Sequence, residues 1–108
     1  MVYDRKEGKS IYYIGDPVYT KDQAVRVPTL YDAAHAAGLT CGSVIWPCCA
    51  GAASLNWIIP DTNKAELHAK FTTPALFEEL AAEKIDLKQL GVWGWDKKHA
   101  TDRDELYV

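Results

Sequence analysis

Apolar and polar residues alternate along this chain in distinct patterns, each of which predicts an element. Ile11, Tyr12, Tyr13 and Ile14 are β-prone residues held between Gly8 and the turn signal Gly15-Asp16-Pro17, so Lys9 to Ile14 reads as a short strand or edge hairpin. The following VYTKDQAVRVP has no clear period and ends at Pro28, which biases Val27 toward extended backbone, so this stretch reads as a connecting arm. Helical spacing then brings Leu30, Ala33, Ala34 and Ala37 onto one face. Thr29 is placed to cap that helix, Asp32 to favour its positive end, and Gly38 to close it in a left-handed conformation, which predicts a helix over residues 30–37. Its small residues suit close packing on a sheet.

Leu39 to Trp46 carries Cys41, Val44 and Ile45 in a run too continuous for a half-exposed strand and too short for a buried helix. It predicts a central parallel strand near residues 40–46, stopped by Pro47. Pro47 to Asp61 reads as a loop with an extended element near Trp57 to Ile59. Thr73-Pro74 opens a second helix, over residues 74–84, with proline in the first turn and Phe77, Leu80 and Ala81 as its buried stripe. Asp86 and Gln89 can cap a short turn before Gly91, and the charged tail after Trp93 and Trp95 reads as helical from about Thr101.

At 108 residues, 48% of them apolar, the chain suits one domain. A net charge of −3 with both signs interspersed excludes a basic groove for a nucleic-acid polymer and a polybasic membrane patch. No apolar run approaches the length of a membrane span, and MVYDRKEGKS lacks a signal-peptide core. Cys41, Cys48 and Cys49 form no regular framework, so reduced thiols and a cytoplasmic setting are expected.

Catalytic chemistry is sparse. His35, His68 and His99 stand far apart without a shared metal-binding spacing and read as surface or helix-face histidines. The cysteines lack CxxC spacing, and Glu78-Glu79 and Asp102-Asp104 read as solvated faces. GxSxG, GxxxxGKS and GxGxxG are absent. No residue is therefore assigned to catalysis or to a metal. Position alone picks out a site, because ligands of open α/β sheets bind beyond the carboxyl ends of the strands. The candidate substrate-binding residues are Trp46, Pro47, Cys48, Cys49 and Gly51 in the loop leaving the strand, with Trp57 as a second flat wall. Core packing of both tryptophans is the competing reading.

The segment VPTLYDAAHAAGLTCGSVIWPCCAGAASLNWIIPD resembles a stretch of the type I phosphodiesterase/nucleotide pyrophosphatase family, in the alkaline phosphatase superfamily, that runs helix, Ala-Ala-Gly, strand, Trp-Pro and then Ile-Pro-Asp or Ile-Pro-Glu. VYDRKEGK resembles the tyrosine-aspartate segment after that family's early active-site region, and TPALFEELAAEKI its later helix, so the likeness covers most of the chain. It implies a partial three-layer α/β/α sandwich belonging to a hydrolase of phosphate esters or phosphoanhydrides. In such enzymes two divalent metal ions, zinc or similar, activate a threonine or serine nucleophile. The family's first metal aspartate and nucleophile precede the region VYDR resembles, and its Asp-x-x-x-His, Asp-His and final His ligands follow the last residue here.

The expectation is thus a single partial α/β domain over residues 1–108, an internal piece of a larger hydrolase, inactive alone, that borders a pocket for a small phosphate ester. Its uncovered apolar face and open strand edge would favour self-association. A small non-catalytic α/β binding or protein-interaction module is the alternative.

Overall fold

The computed structural model describes residues 2–11, 19–87, 89 and 97–108 of a small mixed α/β chain. Tyr12 to Pro17, Gly91, Trp93 and Trp95, which figure in the sequence reading, lie outside the described residues. Strands β1 (Val2–Asp4) and β2 (Lys9–Ile11) form an antiparallel hairpin. Asp4 Oδ1 accepts from the Lys6 and Glu7 amides at 2.8 and 3.2 Å, and Gly8 takes φ +64° to complete the turn.

The expected connecting arm contains a helical turn, α1 (Lys21–Ala24). Thr20 begins it, and the Thr20 amide donates to Gln23 Oε1 at 3.1 Å, half of a capping box that the spacing Thr-x-x-Gln carries in the sequence. Helix α2 (Leu30–Ala36) starts where predicted and ends one residue short of the expected span, with Ala37 as its C-cap. Thr29 Oγ1 accepts from the Asp32 amide, and the Thr29 amide donates to Asp32 Oδ2 at 2.7 Å. At its other end the Gly38 amide reaches the His35 carbonyl and the Leu39 amide the Ala34 carbonyl, with Gly38 at φ +80°. The expected buried stripe is a correction, however. Leu30 is 87% exposed, Ala33 and Ala37 are exposed, and the helix turns Tyr31 and Asp32 inward instead.

Strand β3 (Gly42–Trp46) pairs in parallel with β4 (Trp57–Pro60), and Gly42, Ser43 and Val44 face Trp57, Ile58 and Ile59. Asn56 sets this register: its Oδ1 accepts from the Cys41 amide at 2.9 Å and its amide donates to the Cys41 carbonyl at 2.8 Å. Parallel pairing was expected, a central position was not realised. Among the described residues β3 has one strand neighbour, and Ser43 is buried while Gly42, Val44 and Trp46 are exposed. A continuous apolar run therefore lies half-exposed, because no described strand covers its second edge.

Ile58 and Ile59 point to opposite faces of β4, as successive strand residues must. Ile58 joins Cys49, Ala52 and Leu55 in one apolar cluster, against which Tyr31 and Cys41 pack. Ile59 joins Leu87 in another, flanked by Ile45, Leu76, Phe77, Leu80 and Leu106. The second cluster is built by α4 (Pro74–Ala82) and α5 (Ala100–Tyr107), both close to their expected spans. Ala81 is exposed and Leu76 takes its place on the packed stripe. Between β4 and α4 lies α3 (Ala65–Phe71), which the sequence reading did not assign. No helix among the described residues is long and apolar enough to cross a membrane.

Candidate functional site

The carboxyl ends of β3 and β4 meet because Trp46 and Pro60 are register partners. Between Val44 and Trp46 the ladder slips by one residue, leaving Ile45 as the extra member of a bulge at φ +50°. A β-branched side chain in left-handed backbone costs on the order of 1–2 kcal/mol. Packing of Ile45 into the second cluster holds it there. The bulge bends the strand immediately before the Trp46-Pro47 turn.

Beyond the bulge the six sequence-predicted residues separate. Trp46 is 62% exposed and Pro47 is exposed, so both are open to a ligand. Cys48, half-buried at φ +61°, offers its carbonyl to the Tyr31 hydroxyl at 3.2 Å. Cys49 is 0% exposed and belongs to the first cluster, so it lines the core rather than a pocket. Gly51 sits at φ +71°, and a Cβ there would meet Thr20 Cγ2 at 3.8 Å, an ordinary contact. Its backbone angle, rather than close approach of a ligand, accounts for the glycine.

Trp57 stands at the other end of the sheet. Its side chain lies over Gly42, where an added Cβ would be 3.7 Å from the Trp57 Cβ. Gly42 and Trp46 are four residues apart, roughly 13 Å along a strand. The two indoles are therefore not one wall: Trp46 marks the carboxyl end and Trp57, 44% exposed, the amino end.

A polar hub behind the loop escaped the sequence reading. Asp32 Oδ1 accepts from Ser54 Oγ at 2.5 Å, while Oδ2 accepts from Thr29 Oγ1 at 2.7 Å and meets Lys21 Nζ at 3.0 Å. The Ser54 bond, with those from Thr29 and Lys21, holds the Asp32 carboxyl well below the usual carboxylate range. Asp32 in turn raises the Lys21 ammonium, chiefly by accepting its hydrogen bond. The Lys21 amide also donates to the Ala50 carbonyl at 3.0 Å. α1, α2 and the loop after β3 are thereby tied together. The capping spacing of Thr29 and Asp32 was visible in the sequence, whereas nothing local pointed to Ser54 or Lys21.

His68 departs most from expectation. Instead of lying on a surface it is fully buried on α3, with Nε2 2.8 Å from the Thr62 carbonyl. A carbonyl only accepts, so Nε2 carries the proton, and Nδ1 is left buried without a hydrogen-bond partner. Burial pushes the His68 imidazole down. This bond pins the turn leaving β4. His35 is exposed and His99 lies 2.8 Å from Asp102 Oδ2 near the start of α5.

A groove of about 480 Å³ runs along β3, lined mainly by Leu30, Tyr31 and Ala34 of α2 and by Ser43, Val44 and Trp46 of the strand. A second depression near α1 carries Lys21 and Arg26 against Asp22 and Asp32, so its charges balance. Among the described residues no group of three or more His, Cys, Asp or Glu side chains is placed to hold a metal ion. These residues do not fit the two-metal centre that the resemblance implies. No protein-family model matches the chain, nor does any curated protein or solved structure.

Proposed function

We propose that the chain is a scaffold segment of a metal-dependent phosphodiesterase or nucleotide pyrophosphatase-like hydrolase, where it borders the pocket for a small phosphate ester. The observation that carries this reading is the pairing of Trp46 with Pro60. It brings the Trp46-Pro47 and Pro60-Asp61 turns, the two motifs on which the family resemblance rests, side by side at the carboxyl edge of a parallel strand pair. That edge is where open α/β sheets bind ligands. Apolar clusters on both faces of β4 support the three-layer sandwich that such a hydrolase requires. A reducing, cytoplasmic setting belongs to the same reading, because Cys41, Cys48 and Cys49 form no regular disulfide framework in the sequence.

In this reading the chain positions and does not catalyse. The strained bulge at Ile45 and the Tyr31 bond to the Cys48 carbonyl hold the first turn, and the His68 bond to the Thr62 carbonyl holds the second. The nucleophile and the ligands of two divalent ions come from segments outside these residues. Reading the coding sequence on either side tests this. An upstream aspartate with a Thr or Ser nucleophile, and a downstream aspartate-histidine set, are expected. Their absence overturns the reading.

The uncharged groove between α2 and β3 favours a second reading, a small non-catalytic binding module. Cooperative unfolding of a stable monomer, together with a native stop codon after Val108, would select it.

A further inference from the structure

The two outer edges of the parallel pair are not equivalent. On β4, Thr73 closes the edge, since its amide donates to the Ile58 carbonyl at 3.1 Å and its Oγ1 accepts from the Ile58 amide at 2.9 Å. On β3, no strand among the described residues takes the corresponding place. A strand edge of this kind presents alternate N–H and C=O groups as a template for another strand. Val44, 56% exposed, and Trp46 stand along it, and the groove against α2 opens onto it. Inside that groove Ser43 is nine-tenths buried, and its Oγ has no hydrogen-bond partner.

Charge selects the occupant. From Ala36 to Pro60 the sequence has no Asp, Glu, Lys, Arg or His, and no charged residue lines the groove. A strand carrying charge would have to bury it there without a counter-ion. Among the described strands, β1 and β2 include Asp4 and Lys9, and the outer edge of β4 is closed. β3 itself, Gly-Ser-Val-Ile-Trp, is uncharged, has an open edge and presents apolar side chains beside it. The surface is complementary to its own copy, as a two-fold interface demands.

We infer that this chain forms a two-fold dimer in which β3 pairs antiparallel with β3 of a second copy over Gly42–Val44, ahead of the Ile45 bulge, with the dyad near Ser43. The two sheets become one four-stranded sheet in the order β4, β3, β3, β4. Apolar side chains along each edge enter the groove of the other copy. The inference concerns the 108-residue chain and stands whether or not its ancestor was a hydrolase.

Sedimentation equilibrium on wild type, Val44→Lys and Tyr3→Lys tests it, with circular dichroism to check folding. Val44→Lys places an ammonium on the edge at a position exposed in the monomer, and is expected to weaken association at least about tenfold with an unchanged spectrum. Tyr3→Lys removes an exposed apolar side chain from the hairpin and is expected to leave the dimer intact. Wild-type hydrogen exchange supplies a reading that needs no variant: protection of the 42–44 amides should rise with protein concentration. A wild-type monomer at high concentration, a dimer insensitive to Val44→Lys, or exchange at 42–44 independent of concentration would overturn the inference. So would an edge that becomes protected only when a different protein or peptide is added.

Discussion

His68 and Asp32 show how far a side chain's role depends on residues distant in sequence. Asp32 reads as a helix-cap carboxylate from its spacing to Thr29, and the cap forms. Its bond to Ser54 joins it to the buried loop as well. For His68 no local signal marks burial, because the imidazole is hidden by the turn at Thr62 and by the fit of α3 against β4. The consequence is a pH dependence of definite sign. The folded pKa is depressed by burial while the unfolded chain titrates near the ordinary 6.5. The stabilisation is therefore complete above 6.5 and declines as pH falls through that value toward the folded pKa. His68→Gln keeps an N–H for the Thr62 carbonyl and cannot titrate. It should lower stability at neutral pH by roughly 1–2 kcal/mol through imperfect fit. Urea titrations from neutrality to about pH 5 should show the gap between wild type and variant closing as pH falls. A constant gap would mean that His68 accepts a proton without cost.

Helices α2 and α4 end in the same hydrogen-bond pattern with different residues in the left-handed position. After α2 it is Gly38 at φ +80°; after α4 it is Lys84 at φ +64°, with the Lys84 amide bonding the Ala81 carbonyl and the Ile85 amide the Leu80 carbonyl. Only the first was legible in the sequence, because glycine announces a left-handed residue and lysine does not. Gly38→Ala should destabilise the chain by about 1 kcal/mol, and Lys84→Gly should stabilise it by roughly 0.5–1 kcal/mol. Both sites are exposed, and no atom lies within 4 Å of an added Cβ at Gly38. Denaturant midpoints moving in opposite directions would confirm that backbone conformation, not packing, controls both helix ends. The same contrast explains which elements were foreseen. Thr29, Gly38, Pro47 and Thr73-Pro74 carry local signals, so α2, β3 and α4 were found near their observed bounds. The missed elements, β1, α1 and α3, are short, and the Thr20 and Gln23 spacing was overlooked. Which faces are covered is a tertiary property. Leu30 and Val44 accordingly read as core and lie exposed, while Cys49 reads as a pocket residue and lies in the core.

Among the described residues, apolar material divides between two clusters on opposite faces of one parallel strand pair, with an open strand edge beside them. Such a body is suited to carrying turns at the carboxyl ends of its strands. The position of this edge was legible, since Pro47 and Pro60 end their strands. The separation of Trp46 from Trp57 was not, because register depends on the Asn56 clamp on Cys41. Amide-detected NMR during titration with a nucleoside monophosphate tests most directly whether this edge borders a phosphate-ester site. Shifts confined to Trp46, Cys48, Asp61 and Thr62 are the predicted result. Shifts along the α2–β3 groove alone, or none at saturating ligand, would contradict it.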